Sequence, residues 1–89
     1  MKKYKVEIIP KAEKMISKLD RPLQVRIKEF IHENLEDCEN PRLNGKALTG
    51  NLRGNWRYRV GDYRIIAKIE DEKVLITVVE VNHRRQVYR

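Results

Sequence analysis

Three arginines, Arg57, Arg59 and Arg64, flank the dipeptide Gly61-Asp62 in the second half of the chain. Gly-Asp between two alternating segments predicts a two-residue hairpin turn. Successive side chains of a strand point to opposite faces, so the three arginines would share one face and Arg59 would lie opposite Arg64. Two like charges in that position destabilise a sheet. A bound polyanion would explain the arrangement, and the alternative is a basic strand face that is only solvated.

The C-terminal segment 82–89 carries a second group of cations, Arg84, Arg85 and Arg89, together with Tyr88. It follows the last predicted strand at the end of the sheet where Gly61-Asp62 turns, so it can fold back over the arginine face. An aromatic ring among arginines suits RNA, because the ring stacks on an unpaired base while guanidinium groups hold phosphates. The alternatives are a disordered basic tail and packing of Tyr88 against the core.

The charge distribution supports an acidic partner. The net charge is +7, and segments 53–68 and 82–89 together account for all of it. A local excess of this kind is the electrostatic pattern expected for nucleic-acid binding. A basic surface that only aids solubility is the alternative.

The elements that must position these cations are recognisable from hydrophobic periodicity. Residues 5–9 predict a short strand. Two helices follow, each starting near a proline (Pro10 and Pro22). Their apolar residues recur at helical spacing: Ala12, Met15, Ile16 and Leu19 in the first, and Leu23, Ile27, Phe30, Ile31 and Leu35 in the second. The two helices are predicted to form an antiparallel hairpin.

The second half of the chain predicts a sheet. Residues 38–55 form a long connection, with a short helical turn expected at 46–48 and with Leu43, Leu48 and Leu52 packing it down. Strands are predicted at about 56–60, 63–70 and 73–81, the last of them central. The fold class is therefore α+β: an N-terminal strand, a two-helix antiparallel hairpin, and a three-stranded antiparallel meander forming a curved sheet with the helices on one face. Residues 1–89 are expected to form a single domain.

Other kinds of chemistry lack support in the sequence. His32, Cys38 and His83 are isolated and have no spacing typical of a metal site. Gly45-Lys46 is followed by Ala47 where a P-loop needs Ser or Thr. Ser17 is the only serine and has no predicted catalytic partner. No signal peptide or membrane-spanning segment is apparent, and a single cysteine cannot form an intrachain disulfide, so we expect a cytoplasmic protein.

The order and spacing of these features resemble the RelE/ParE toxin superfamily, on the RelE side. The motifs that carry the resemblance are Asn-Trp-Arg-Tyr-Arg-Val-Gly-Asp-Tyr-Arg-Ile at 55–65 and His-Arg-Arg-Gln-Val-Tyr at 83–88. The resemblance covers essentially the whole chain. It implies a RelE-like fold and a metal-independent endoribonuclease, without a cofactor, that cuts mRNA in the ribosomal A site and so inhibits translation.

The resemblance also implies roles for individual residues. Arg57 and Arg59 occupy positions where some members carry lysine. Arg64 matches an arginine of the family motif, Arg84 the C-terminal catalytic arginine, and Tyr88 the tyrosine that stacks on the base being cut. Further contacts with RNA are expected from Lys46, Arg53, Arg85 and Arg89.

The implied reaction is attack of a 2′-hydroxyl on the adjacent phosphate, with arginines stabilising the charge that develops. Arginine is a poor base because it stays protonated. His83 is a candidate acid or base, and the alternative is that it only caps the end of a strand. If the ribosome positions the substrate, no strong base is required, and free RNA should be cut poorly.

Two other functional classes remain open from the sequence. One is a ParE-like toxin that inhibits DNA gyrase, and the other is a small RNA-binding module without catalysis. As partners, the resemblance implies an antitoxin with an acidic binding segment, mRNA on the ribosome, and operator DNA contacted through the antitoxin. No membrane partner is expected.

Overall fold

The computed structural model describes residues 2–85. A five-stranded sheet carries two helices on one face. The strands are β1 (Lys5–Ile8), β2 (Gly45–Ala47), β3 (Asn55–Val60), β4 (Tyr63–Glu70) and β5 (Leu75–His83), and the helices are α1 (Pro10–Ser17) and α2 (Arg21–Phe30). The strand order is β1-β5-β4-β3-β2, with β1 parallel to β5 and the other pairs antiparallel. The predicted α+β architecture is confirmed, with β2 added at one edge.

The two helices form where the apolar periodicity predicts them. Ala12 and Ile16 of α1 and Ile27 of α2 are buried. The second helix differs from the prediction in its last turn, because the α-helix ends at Phe30 and a π-helical turn continues from Ile31 to Leu35. The Asn34 side-chain amide donates to the Phe30 carbonyl (3.2 Å), which offers the backbone an alternative to the α-helical bond. The turn still buries both of its apolar ends.

The core lies between the helices and one face of the sheet. Its largest fully buried side chains include Tyr58, Ile65, Ile76 and Val78 from the strands and Ile16, Ile27 and Leu35 from the helical segment. Tyr58 has a polar group in this apolar setting, and its hydroxyl donates to the Pro41 carbonyl at 2.5 Å. Burial raises the pKa of the Tyr58 phenol above its usual value, so the group remains a neutral donor.

The long connection after the helices is organised differently from the prediction. Residues 45–47 form strand β2 rather than a helical turn, and Leu43 is 73% exposed instead of packed. Pairing with β2 satisfies backbone groups along the outer edge of β3 that would otherwise lack partners. Pro41 is buried, and it holds the connection down in place of Leu43.

A β-bulge interrupts the last hairpin. Ile66 pairs with Glu80 and Ala67 with Val78, so Val79 has no opposite residue on β4. A bulge of this kind shifts the alternation of the strand by one residue. Consequently Ile76 and Val78 face the core before the bulge, and Val81 faces it after.

Candidate functional site

The arginines of the predicted hairpin lie on the sheet face opposite the helices. Arg59 pairs directly with Arg64, as the turn predicted. Arg57 pairs with Ile66 on one side and with Lys46 of β2 on the other. We call the surface carrying Lys46, Arg57, Arg59 and Arg64 the cationic face. Cβ atoms of directly opposite residues are about 5 Å apart, so these four charges act on one small area.

The register arranges this face as two rows that cross the strands. The first row runs Lys46, Arg57, Ile66, Glu80, and the second runs Arg59, Arg64, Asn82. Ile66 is fully buried although it lies outside the helix-side core cluster. Long side chains on either side of such a residue cover it with their apolar stems while their charged ends reach solvent. The rows therefore have an apolar floor and a charged rim.

A concave pocket opens at the β2 end of the cationic face. Its volume is about 420 Å³, and it is lined by Leu43, Asn44, Gly45, Lys46, Arg57 and Arg59. Three cations and an exposed leucine share its wall. Such a wall offers charge to a phosphate and apolar surface to a base.

Gly45 permits the close approach of β2 to β3. A Cβ atom at this position would clash with the indole of Trp56 and would lie 2.7 Å from the Arg57 carbonyl oxygen. A larger residue would force the edge strand outward. The glycine thus keeps Lys46 beside Arg57.

The end of β5 brings Arg84 to the β3–β4 turn. The Arg84 amide donates to the Asp62 carbonyl (2.7 Å), and its side chain forms an ion pair with the Asp62 carboxylate (3.4 Å). The predicted position of the segment, at the end of the sheet where Gly61-Asp62 turns, is confirmed for Arg84, and the predicted return over the arginine face concerns residues that lie outside the described ones. Both Arg84 and Arg85 are exposed.

His83 lies on the helix side of the sheet rather than among the arginines. Its ring meets Tyr63 edge-on, with centroids 5.2 Å apart, and Tyr63 packs against the core. The His83 Nδ1 atom accepts a hydrogen bond from the Arg85 amide (3.1 Å). These contacts hold the His83 ring on the helix side of the sheet, and its role as an acid, a base or a strand cap stays a prediction.

The other predicted RNA contacts fall into two groups. Arg53 is exposed and precedes β3 at the end of the sheet away from the Gly61-Asp62 turn, so it does not join the rows. Tyr88 and Arg89 lie outside the residues that the structure describes.

Sequence reasoning missed one residue of this face, Glu80. Its carboxylate accepts a hydrogen bond from the Asn82 side-chain amide and forms an ion pair with Lys11 of α1 (3.6 Å). Simple alternation from Ile76 and Val78 would direct Glu80 into the core, and only the bulge at Val79 directs it to the opposite face. The signal available in the sequence was the implausibility of a buried unpaired carboxylate.

A second arginine site lies at the opposite end of the sheet. Arg42 donates two hydrogen bonds to Asp71, at 3.1 and 3.0 Å, and Tyr4 donates a third at 2.6 Å. The hydrogen bonds lower the pKa of the Asp71 carboxyl, and those from Arg42 have a larger effect than the one from Tyr4. Arg42 also lies 5.8 Å from the centroid of the Trp56 ring, within cation–π range. We call Arg42, Asp71 and Tyr4 the clamp.

No group of three or more His, Cys, Asp and Glu side chains within residues 2–85 is arranged to hold a metal ion. Over the same residues, no helix is long and apolar enough to cross a membrane.

Comparison of the chain with known proteins identifies a family that it matches. Residues 6–88 match the model for the ParE toxin of type II toxin–antitoxin systems. Toxin RelG of Mycobacterium tuberculosis is 30% identical over 86 residues, 97% of each chain. Toxin RelE of the same organism is 29% identical over 97% of this chain and 87% of its own.

A solved structure agrees with these matches. A chain in the RelBE2 toxin–antitoxin complex of Mycobacterium tuberculosis superposes with a TM-score of 0.84 and 29% identity, covering 97% of both chains. Sequence and fold therefore point to the same group of proteins. The chain belongs to the ParE toxin family of type II toxin–antitoxin systems, and within it is a RelE-like toxin.

Proposed function

We propose that this toxin is a metal-independent endoribonuclease that cuts mRNA in the ribosomal A site and thereby stops translation. The observation that carries the proposal is the cationic face, in which Arg59 directly opposes Arg64 and Lys46 pairs with Arg57. Like charges so close together cost stability, and a phosphate backbone would offset that cost.

The residues of the face suit the chemistry of RNA self-cleavage. The 2′-hydroxyl oxygen attacks the adjacent phosphorus, and the bond to the 5′ oxygen breaks, which leaves a 2′,3′-cyclic phosphate and a 5′-hydroxyl. The phosphorane between these states carries two negative charges. Guanidinium groups from Arg57, Arg59 and Arg64 can stabilise it without reorganising, because their strands already hold them on one face. Arg84, tied to the β3–β4 turn, contributes a further cation at the rim.

We expect cleavage to depend on the ribosome because the arginine and lysine side chains of the cationic face are poor proton acceptors. Arginine and lysine side chains are protonated at neutral pH, and His83 packs on the other side of the sheet. Substrate orientation, which can contribute about 7–11 kcal/mol in well-positioned systems, would supply much of the catalytic power. A ribosome that holds the mRNA, with Tyr88 stacking on an exposed base, would provide that orientation.

The partners follow from the same surface. The related RelBE2 structure is a toxin–antitoxin complex, and an antitoxin with an acidic segment would compete with mRNA for the cationic face. The toxin–antitoxin complex would bind operator DNA through the antitoxin. Free toxin would act where ribosomes are, in the cytoplasm.

Primer extension tests the proposal. Purified toxin is incubated with a short mRNA, with and without programmed ribosomes. We expect cuts only with ribosomes, ending in 2′,3′-cyclic phosphate. The cuts should disappear with Arg64→Ala and Tyr88→Ala. Arg21→Ala is the matched control, because Arg21 is an exposed cation on α2, away from the rows, and its removal should leave cleavage unchanged. Intact mRNA with all folded proteins would exclude the nuclease.

Gyrase inhibition is the second candidate, and the match to the ParE toxin model favours it. A supercoiling assay with purified gyrase, run beside the primer extension, separates the two functions. Inhibited supercoiling with intact mRNA would make gyrase the target. Retention of mRNA on the toxin without cleavage would instead indicate a binding module.

A further inference from the structure

Glu80 is the one carboxylate in the two cross-strand rows. It ends the first row on β5, after Ile66, and lies two residues from Asn82 in the second row. A carboxylate on a surface that must attract phosphates weakens the attraction. It therefore needs an explanation beyond charge.

Glu80 is held in place from two directions. Asn82, a residue that is only 7% exposed, donates from its side-chain amide to one carboxylate oxygen. Lys11 of α1 approaches the other oxygen at 3.6 Å. The Glu80 side chain nevertheless retains 27% of its surface. It is fixed by its neighbours but remains open to a ligand, as a group that exchanges protons must be.

The charged groups around Glu80 are mostly cations. Lys11 faces it from α1, Arg64 lies on the diagonal of β4, and Arg57 lies two strands away in the same row. Glu7 and Lys68 lie in the next row outward, with Thr77 between them. These cations can draw the phosphate of an RNA substrate to the side of the Glu80 carboxylate.

From this position we infer that Glu80 accepts the proton of the attacking 2′-hydroxyl. The inference rests on the proposed ribonuclease function and supplies the base that its arginines lack. The hydroxyl proton passes to the Glu80 carboxylate as the oxygen–phosphorus bond forms. The leaving 5′ oxygen takes a proton from water, and Glu80 then releases its proton to solvent. The phosphate lies between Glu80 on one side and Arg57 and Arg64 on the other, and the two arginines bind it.

The test is single-turnover cleavage of ribosome-bound mRNA between pH 6.5 and 8.5. Wild-type toxin should cut at a rate that is nearly constant over this range. Glu80→Gln should bind programmed ribosomes with unchanged or tighter affinity but cut about 10²–10⁴-fold more slowly at pH 7. Its remaining rate should rise with pH, because hydroxide then removes the proton. Glu80→Asp keeps a carboxylate and should recover part of the rate with the constant profile.

Lys11→Gln separates the loss of the ion pair from the loss of the carboxylate. It breaks the ion pair with Glu80 but keeps the carboxylate, so it should cut within a few-fold of wild type. Equal losses in Glu80→Gln and Lys11→Gln, with no change of pH profile, would reduce Glu80 to a structural ion pair and overturn the inference. Wild-type rate and profile in Glu80→Gln would overturn it as well. Failure of the wild-type toxin to cut would instead refute the ribonuclease itself, and thermal melts of each variant verify folding.

Discussion

The two ends of the sheet use arginine in opposite ways. At the β4–β5 turn, Arg42 meets the carboxylate of Asp71 through two hydrogen bonds and lies over Trp56. At the β3–β4 end, the residue directly across from Arg59 is another arginine, Arg64. The first arrangement pairs opposite charges, whereas the second places like charges side by side.

The difference shows how a small protein separates folding from binding. The clamp fastens the long connection through Arg42, next to Pro41, whose carbonyl accepts the Tyr58 hydroxyl. That connection leads into β2 and so delivers Lys46 to the cationic face. The contacts of the clamp thus help to position the like charges of the cationic face, where a polyanion is expected to bind.

Among the variants that compare the two ends, the largest effect should come from Arg59→Ala. Loss of one group that stabilises transition-state charge typically lowers the rate by about 10²–10³-fold, so cleavage on ribosomes should fall by that factor. Stability should rise by roughly 0.2–1 kcal/mol, because a cross-strand repulsion is removed. Primer extension and urea unfolding measure the two changes. If Arg59→Ala lost stability and still cleaved mRNA, the β3–β4 end of the sheet would serve stability rather than binding.

Gly45→Ala should weaken the connection between the two ends. The added Cβ meets the Trp56 indole and the Arg57 carbonyl, and overpacking of this kind costs about 1–3 kcal/mol. Cleavage should fall in parallel as β2 carries Lys46 away from Arg57. Lys46→Ala is the companion variant: it should stay within about 0.5 kcal/mol of wild type while binding RNA less tightly. Urea unfolding that fails to distinguish the two variants would argue against the role of Gly45.

Tyr58→Phe should affect stability alone. The variant removes the hydroxyl and leaves the buried Pro41 carbonyl without its donor, at a cost of about 1–3 kcal/mol. Cleavage per folded molecule should be unchanged, since Tyr58 lies on the core side of the sheet. Chemical denaturation and the ribosome assay together check both parts. If Tyr58→Phe lost activity without losing stability, the connection at residues 38–55 would contact the substrate in addition to the cross-strand rows.

The smallest expected effect is a pH-dependent change in stability that comes from Asp71 of the clamp. Hydrogen bonds from Arg42 and Tyr4 lower the pKa of Asp71 relative to an unfolded value near 3.9. Its contribution to stability is therefore present above about pH 4 and is lost as pH falls through the folded value. Asp71→Asn should be slightly less stable than wild type at pH 7, and the gap in urea midpoint should narrow as the pH falls below about 4. A gap that persists in acid would mean that the carboxylate charge is not the cause.

Much of this molecule follows from local patterns in its sequence. The periodicity of Ala12, Ile16 and Ile27 predicted the helices, and Gly61-Asp62 predicted the turn that sets Arg59 opposite Arg64; all of these are confirmed. Each depends on residues close together in the chain, whose spacing and turn preferences carry the information. The same is true of the motifs that indicated the family.

Other features depend on pairing between distant segments. Strand β2 exists because the edge of β3 offers it partners, and three residues with a glycine carry little strand signal of their own. The π-helical turn after Phe30 likewise appears only in the folded chain.

The bulge at Val79 shows most directly what the sequence alone determined and what only the tertiary structure decided. Alternation along β5 determines that neighbouring side chains point to opposite faces. The point at which that alternation shifts depends on how β5 registers against β4. Because the shift occurs before Glu80, a residue that local pattern directs into the core lies instead beside the arginines. The sequence determined the cations of the site, and the long-range register decided that a carboxylate joins them.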